Sequence, residues 1–178
     1  FGEAEYAELS RYCKEIDLEF LSTPFDFEAA EYLDKYMNYY KISSSDITNI
    51  PFIAFIAQKN KPILISAGAS ELDEVESALS EIRKYNQKQI VLMHCVLEYP
   101  TPYEHANLNK IRQFQNKYPQ LIIGYSDHTK PDQNYNVVKC AYLLGARVIE
   151  KHFTLNKTLV GNDHYLAMDT VDVEQIKK

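Results

Sequence analysis

An α/β protein of the (β/α)8 TIM-barrel class is the architecture that the sequence predicts, incomplete, with about six βα units. Three observations predict it. Short apolar runs alternate with amphipathic helical patterns roughly 20–30 residues apart, the spacing that parallel crossovers need. None of the strand candidates is followed by the glycine-rich turn that a doubly wound nucleotide fold carries after its first strand. Every strand candidate also ends in polar residues, and in barrels the chemistry sits at the C-terminal ends of many strands.

In chain order, Glu3–Lys14 reads as a helix that precedes the first strand. The strand candidates are Glu19–Pro24, Tyr40–Ser44, Pro62–Ala67, Ile90–Cys95, Leu121–Ser126 and Arg147–Phe153. Each is rich in Ile, Leu, Val or aromatic residues and is followed by Gly, Pro, Ser or Asp. Near-continuous apolar strands of this kind fit a parallel sheet covered by helices. The clearest intervening helix is Ser70–Tyr85, with Ser70 as N-cap and Leu72, Val75, Leu79 and Ile82 on one face. No linker, low-complexity stretch or composition break divides residues 1–178, so one domain is expected, a partial barrel.

The bulk numbers restrict the function. A length of 178 residues suits one domain with a core of its own. Apolar residues at 46% and charged residues at 25% are ordinary for a globular protein. A net charge of −6 argues against a sequence-independent nucleic-acid binder, which needs a basic face. No apolar run approaches the roughly 20 residues of a membrane span, and the N-terminal segment lacks a signal-peptide pattern. Cys13, Cys95 and Cys140 read as reduced core residues of a cytoplasmic protein. Phe1 stands where a start Met belongs and Lys178 lies inside a helical pattern, so both ends read as cut.

Alternation along the last two strands then places chemistry. Residues i and i+2 of an extended segment face the same way, so Ser126 points with His128 and Glu150 with His152. Two imidazoles on neighbouring strand ends with a carboxylate beside them form a site for Mn²⁺, Co²⁺, Fe²⁺ or Zn²⁺. Asp127 or Glu150 is placed to orient a ring from behind. Lys41, with Ser43, Ser44 and Thr23, offers a cation and hydroxyls to a phosphate or carboxylate; the plainer alternative is a snorkelling Lys. His94, one residue before Cys95, reads as structural. Asp163 lies in the turn-rich Gly161-Asn162-Asp163-His164 segment, a weak signal on its own.

Read together, a set of segments carries a resemblance. They are Ser22-Thr23-Pro24-Phe25, Tyr40-Lys41-Ile42-Ser43-Ser44, Asn49-Ile50-Pro51, Lys61–Gly68, His94-Cys95, Tyr99-Pro100-Thr101-Pro102, Gly124–Thr129, Leu144-Gly145-Ala146, Glu150–Thr154 and Gly161–His164. In order, spacing and wording they resemble the sialic acid synthase family: N-acetylneuraminate synthase and its relatives for legionaminic, pseudaminic and spore-coat sugars. The resemblance implies that phosphoenolpyruvate condenses with an N-acyl hexosamine, N-acetylmannosamine or a relative, to give a nonulosonic acid and phosphate. It implies a divalent metal, Mn²⁺ first and Co²⁺, Mg²⁺ or Fe²⁺ as alternatives, on His128 and His152. It implies phosphoenolpyruvate on Thr23, Lys41, Ser44 and Ser126, the sugar on Tyr99, Glu150 and Asp163, and catalytic roles for Glu150, His152 and Lys41. It also implies a homodimer for the full-length protein, with neither nucleic acid nor membrane as partner.

The chain departs from the family pattern in three ways. Two earlier strands with a phosphate-binding Lys, sugar-contacting amides and a catalytic Glu are missing, and so is the C-terminal antifreeze-like domain. Leu97 replaces a small polar residue and, by parity with Tyr99, is expected to face the barrel interior. Six strands leave two open edges, so the isolated chain is expected to be poorly active and prone to self-association. The competing readings are another phosphoenolpyruvate-dependent aldulosonate synthase, a metal-dependent hydrolase, and a non-catalytic barrel fragment.

Overall fold

The computed structural model describes residues 2–161 and 163–176. Phe1, Asn162, Lys177 and Lys178 lie outside the described residues, and with them the ends expected to be cut and one position of the Gly161–His164 turn. The fold is α/β, with five parallel strands, each followed by a helix. It divides into two compact units, residues 2–65 with 70–90 and residues 66–69 with 91–176.

The first unit opens with α1 (Glu3–Glu15), whose first turn is tied by Gly2 N–H donating to Glu5 Oε2 at 2.7 Å. Next, α2 (Phe27–Leu33) starts where the Asp26 carboxylate accepts from Ala29 N–H at 2.6 Å. Strand β1 (Tyr40–Ile42) pairs in parallel with β2 (Ile63–Ser66), Tyr40 opposite Ile63 and Ile42 opposite Ile65. The connecting α3 (Ile50–Gln58) is capped by Asn49 and has Pro51 in its first turn, where a missing N–H is harmless. It packs against α4 (Leu72–Tyr85), and the two helices bury Phe52, Ile53, Ile56, Val75, Ala78, Leu79 and Ile82. At about 1.5–3 kcal/mol per buried large apolar side chain, this helix pair supplies much of the unit's hydrophobic stabilisation.

The second unit is built on β3 (Ile90–Cys95), β4 (Ile122–Asp127) and β5 (Val148–Lys151), with β4 in the middle. All six residues of β3 are buried, the mark of a strand covered on both faces. Around this sheet lie α5 (Asn109–Lys117), α6 (Asn136–Leu143) and α7 (Thr170–Ile176). Gly145 ends α6 with φ of +107°, a backbone region that residues with a side chain rarely adopt. Gly124 is required for a different reason: a Cβ there would lie 2.9 Å from the Val148 carbonyl oxygen of β5.

Several expectations need correction. The Glu19–Pro24 run forms no strand; Ser22 N–H instead points at Met37 Sδ, 3.2 Å away, and not at a neighbouring strand's carbonyl. Five strands therefore replace the expected six among the described residues. Ser70 is not the cap of α4. That helix begins after Glu71, whose N–H donates to Glu74 Oε2 at 2.8 Å, and Leu72 is exposed at its start. Of the cysteines only Cys95 is in the core; Cys13 is half-buried and Cys140 exposed, and none of the three is in a disulfide. No helix among the described residues is long and apolar enough to cross a membrane.

Candidate functional site

The polar strand ends of the second unit converge on two imidazoles. β4 and β5 run side by side with Ser126 opposite Glu150 and Asp127 opposite Lys151, so the chains leave the sheet in step into His128 and His152. Ser126 donates its hydroxyl proton to Glu150 Oε1 at 2.6 Å. Two residues on, on the same face, the His128 and His152 rings lie 5.4 Å apart, centroid to centroid, at 70°.

His128 is held from several sides. Its Nδ1–H donates to the Val96 carbonyl at 2.6 Å, and its own carbonyl accepts from Thr101 N–H at 2.9 Å. With Nδ1 committed as a donor, Nε2 carries the lone pair, and the Tyr99 hydroxyl lies 3.2 Å from it. The Tyr99 ring stacks on His128 at 4.1 Å and meets the His152 ring edge-on at 5.8 Å. Burial pushes the His128 imidazole below its ordinary pKa, and the neighbouring His152 ring pushes the same way. The ring is therefore a neutral acceptor at neutral pH. Burial also raises the Tyr99 phenol, which stays a hydrogen-bond donor.

His152 is more open, with its side chain 34% exposed and Nδ1 3.6 Å from Asp163 Oδ2. Its backbone carbonyl accepts from Met168 N–H at 2.8 Å. That bond brings the 163–168 loop beside the strand end, where Tyr165 donates to the Tyr99 carbonyl at 2.9 Å. The second unit thus brings Tyr99, Ser126, His128, Glu150, His152 and Asp163 into one neighbourhood. Among the described residues, no group of three or more His, Cys, Asp and Glu side chains has metal-binding spacing. The ligands that the chain itself presents are a pair of imidazoles, a donor type suited to Mn²⁺, Co²⁺, Fe²⁺ or Zn²⁺.

The other expected site residues belong to the first unit. Thr23 is half-buried in the extended stretch before α2, and Ser44 opens the short turn Ser44–Asp46 after β1. Lys41 in β1 is only 5% exposed, unlike a snorkelling side chain, and its ammonium lies 3.5 Å from the Ile42 carbonyl.

Some side chains have partners other than those the sequence suggests. Asp127 does not orient either imidazole. It faces the other way and pairs with Lys151, while His128 takes its orientation from the main chain of Val96. The Ser126 hydroxyl, expected to serve an anion, has its proton engaged by Glu150. His94 is structural: Nε2–H donates to the Ala106 carbonyl at 2.8 Å, and the ring packs against Phe114 and Tyr125. Leu97 is 46% exposed, close to Tyr99 at 41%. One residue not selected from the sequence is Ser66, whose buried hydroxyl lacks a hydrogen-bond partner among the described residues. An orphaned donor at a strand end is a candidate ligand group. The available signal was its position at the end of β2 before Ala67-Gly68.

Comparison with known proteins adds an independent line. The NeuB family model matches residues 1–178. The N,N'-diacetyllegionaminic acid synthase of Campylobacter jejuni is 38% identical over 174 residues, which cover 96% of this chain and 51% of that protein. The crystal structure of the spore coat polysaccharide biosynthesis protein SpsE of Bacillus subtilis superposes with a TM-score of 0.88 at 36% identity, over 96% of this chain and 49% of that one. The N-acetylneuraminic acid (sialic acid) synthetase of Leptospira borgpetersenii superposes with a TM-score of 0.90 at 31% identity, over 99% and 62%. The chain spans about half the length of the curated relatives it matches.

Proposed function

The chain belongs to the NeuB family, the sialic acid synthases, and from that membership we propose that it forms part of an enzyme condensing phosphoenolpyruvate with an N-acyl hexosamine. The products are a nonulosonic acid and phosphate. The observation that carries the reading is the His128–His152 pair, presented in step by two adjacent strands with Glu150 beside it. Relatives over nearly the whole chain are named as synthases of N,N'-diacetyllegionaminic acid, pseudaminic acid and N-acetylneuraminate 9-phosphate, which supports the product class.

The residues present fit a divalent metal. His128 offers a neutral Nε2 lone pair, and His152 stands next to it. Mn²⁺ is the first assignment, with Co²⁺, Mg²⁺ or Fe²⁺ as alternatives; bound there, it would polarise the aldehyde of the open-chain sugar. Tyr99, Glu150 and Asp163 are assigned to the sugar, as a ring to pack on and carboxylates to accept from hydroxyls or exchange a proton. Lys41, Thr23 and Ser44 supply a cation and hydroxyl donors for the phosphate and carboxylate of phosphoenolpyruvate. Ser126 is assigned to the same substrate through its oxygen lone pairs or by releasing Glu150. In the reaction the methylene carbon of phosphoenolpyruvate attacks the aldehyde carbon, and water adds to the oxocarbenium-like centre that develops. Phosphate then leaves with cleavage of its carbon–oxygen bond. The protein's part is orientation and stabilisation of developing charge.

We assign the five observed βα units to a (β/α)8 barrel and the full-length protein to a cytoplasmic homodimer. The test is phosphate release from phosphoenolpyruvate by the full reading frame with Mn²⁺, using N-acetylmannosamine, its 6-phosphate and diacetamido-hexose analogues. Release that requires both sugar and metal, and is lost in His128→Ala, supports the proposal. A folded, metal-bound protein that releases no phosphate with any of these sugars overturns it, while release driven by a phosphorylated tetrose or pentose would shift the assignment to an aldulosonate synthase.

A further inference from the structure

Behind the imidazole pair lies a buried ion pair that the proposed chemistry does not use. Asp127 in β4 and Lys151 in β5 are direct register partners, with side chains 1% and 8% exposed and Nζ 2.9 Å from Oδ2. Because successive side chains of a strand alternate, this pair lies on the face opposite to Ser126, His128, Glu150 and His152. A buried ion pair repays its desolvation only when its remaining hydrogen-bonding capacity is also met. Here it is met. The Asp127 carboxylate accepts from Tyr125 O–H at 3.1 Å, from Thr129 N–H at 2.9 Å and from Thr129 Oγ1 at 3.1 Å. The Lys151 ammonium donates to the Thr129 carbonyl and lies 3.4 Å from the Asp127 carbonyl.

These last two contacts set the pair apart from an ordinary structural bridge. The Asp127 carbonyl belongs to the peptide group that leads into His128, and the Thr129 carbonyl lies one residue beyond it. Lys151 itself is the residue before His152. A single ammonium therefore grips the main chain around one imidazole while being covalently next to the other. We propose that Lys151 is a positioning residue, which sets the spacing and orientation of His128 relative to His152 from the opposite face of the sheet. This rests on the reading of the two imidazoles as a metal-holding pair. A metal site tolerates little ligand displacement, and loss of a supporting contact typically lowers affinity by about 10–100-fold.

The experiment compares wild type, Lys151→Met and Lys157→Met in the full reading frame. Lys157 pairs with Asp172 and Asp169 in the same unit, so its loss also removes an ion pair, but one that grips neither imidazole-bearing strand end. Two readouts are taken on folded protein: ring ¹⁵N spectra of selectively labelled histidines without metal, and Mn²⁺ titration. The expected result is that Lys151→Met moves the His128 and His152 ring signals, leaves His94 in place and weakens Mn²⁺ binding about 10–100-fold, while Lys157→Met does neither. Ring signals and Mn²⁺ affinity in Lys151→Met equal to wild type overturn the proposal. A wild type that takes up no Mn²⁺ overturns the metal reading instead. The ring spectra then decide, with displaced rings upholding the positioning role and unmoved rings overturning it. If Lys151→Met does not fold, Asp127→Asn keeps the side-chain shape, removes the counter-charge and is read by the same outcomes.

Discussion

Replacing Gly124 by alanine tests how closely β4 and β5 must approach for the site to form. Gly124 stands opposite Met93 in β3 and Val148 in β5. An added Cβ would lie 2.9 Å from the Val148 carbonyl oxygen, 3.1 Å from Met93 Cγ and 3.3 Å from Val148 Cβ. The Met93 side chain is fully buried with little room to turn, and the Val148 carbonyl is main chain, so β5 itself must back away. Forcing a methyl group into such a space costs about 1–3 kcal/mol. Alanine recovers about 0.4–1 kcal/mol by restricting the unfolded chain. The net expectation is a loss of about 1–2 kcal/mol, which at a slope of about 2 kcal/mol/M lowers the urea midpoint by about 0.5–1 M. The Ser126–Glu150 hydrogen bond, two residues along the same strands, is the first site contact to stretch. Urea unfolding followed by circular dichroism, wild type against variant, measures the shift. A midpoint equal to or above wild type at unchanged slope would refute the argument, because β4 and β5 would then have room to spare. Gly161→Ala is the control: it meets nothing within 4 Å, and its φ of +113° makes any cost there purely one of backbone conformation.

Two further expectations follow from buried charge. Asp127→Ala leaves the Lys151 ammonium buried without its counter-charge and is expected to cost about 3–5 kcal/mol, whereas Glu98→Ala, which breaks the exposed pair with His105, is expected to change stability far less; paired melting curves check this, and equal losses would sink it. Burial holds the His94 imidazole below its ordinary pKa, so the folded state keeps it neutral while the unfolded chain takes up a proton below about pH 6.5. Its contribution to stability is therefore complete above that pH and is lost as the pH falls, by at most about 1.4 kcal/mol per unit. Stability measured between pH 7 and 5 in wild type and His94→Phe checks the sign: the variant should show the flatter slope, and an identical slope would clear His94 of any part in acid unfolding.

Local pattern made most of the fold legible. Ile90–Cys95 matches its predicted strand at both ends because a polar stretch precedes it and a turn follows. Pairing is where local pattern fails. The Glu19–Pro24 run carries Phe20 and Leu21, yet whether it becomes a strand depends on a neighbour far away in sequence, and Ser22 N–H finds a sulfur instead. Cysteine burial departs from expectation for a related reason. Cys140 lies on a helix whose inward positions are Val138 and Ala141, so its helical phase and not its apolar character turns it outward.

For the site, strand alternation carried the prediction and also bounded it. It placed Ser126, His128, Glu150 and His152 on one face, and there Ser126 bonds to Glu150 across the two strands while the His128 and His152 rings lie edge-on, 5.4 Å apart. The same rule, applied to Asp127, would have turned its carboxylate away from the imidazoles, yet chemical habit assigned it to orient one. What orients His128 is the carbonyl of Val96, a group that every residue possesses and that leaves no mark in the sequence. The division that results has a physical logic. On one face of β4 and β5 the polar groups keep lone pairs turned outward, as at His128 Nε2. On the other, Asp127, Lys151, Tyr125 and Thr129 satisfy one another in a closed network. A charged residue beside a catalytic candidate in sequence is thus one Cβ away from the opposite role, and only the parity of its position tells which role it has.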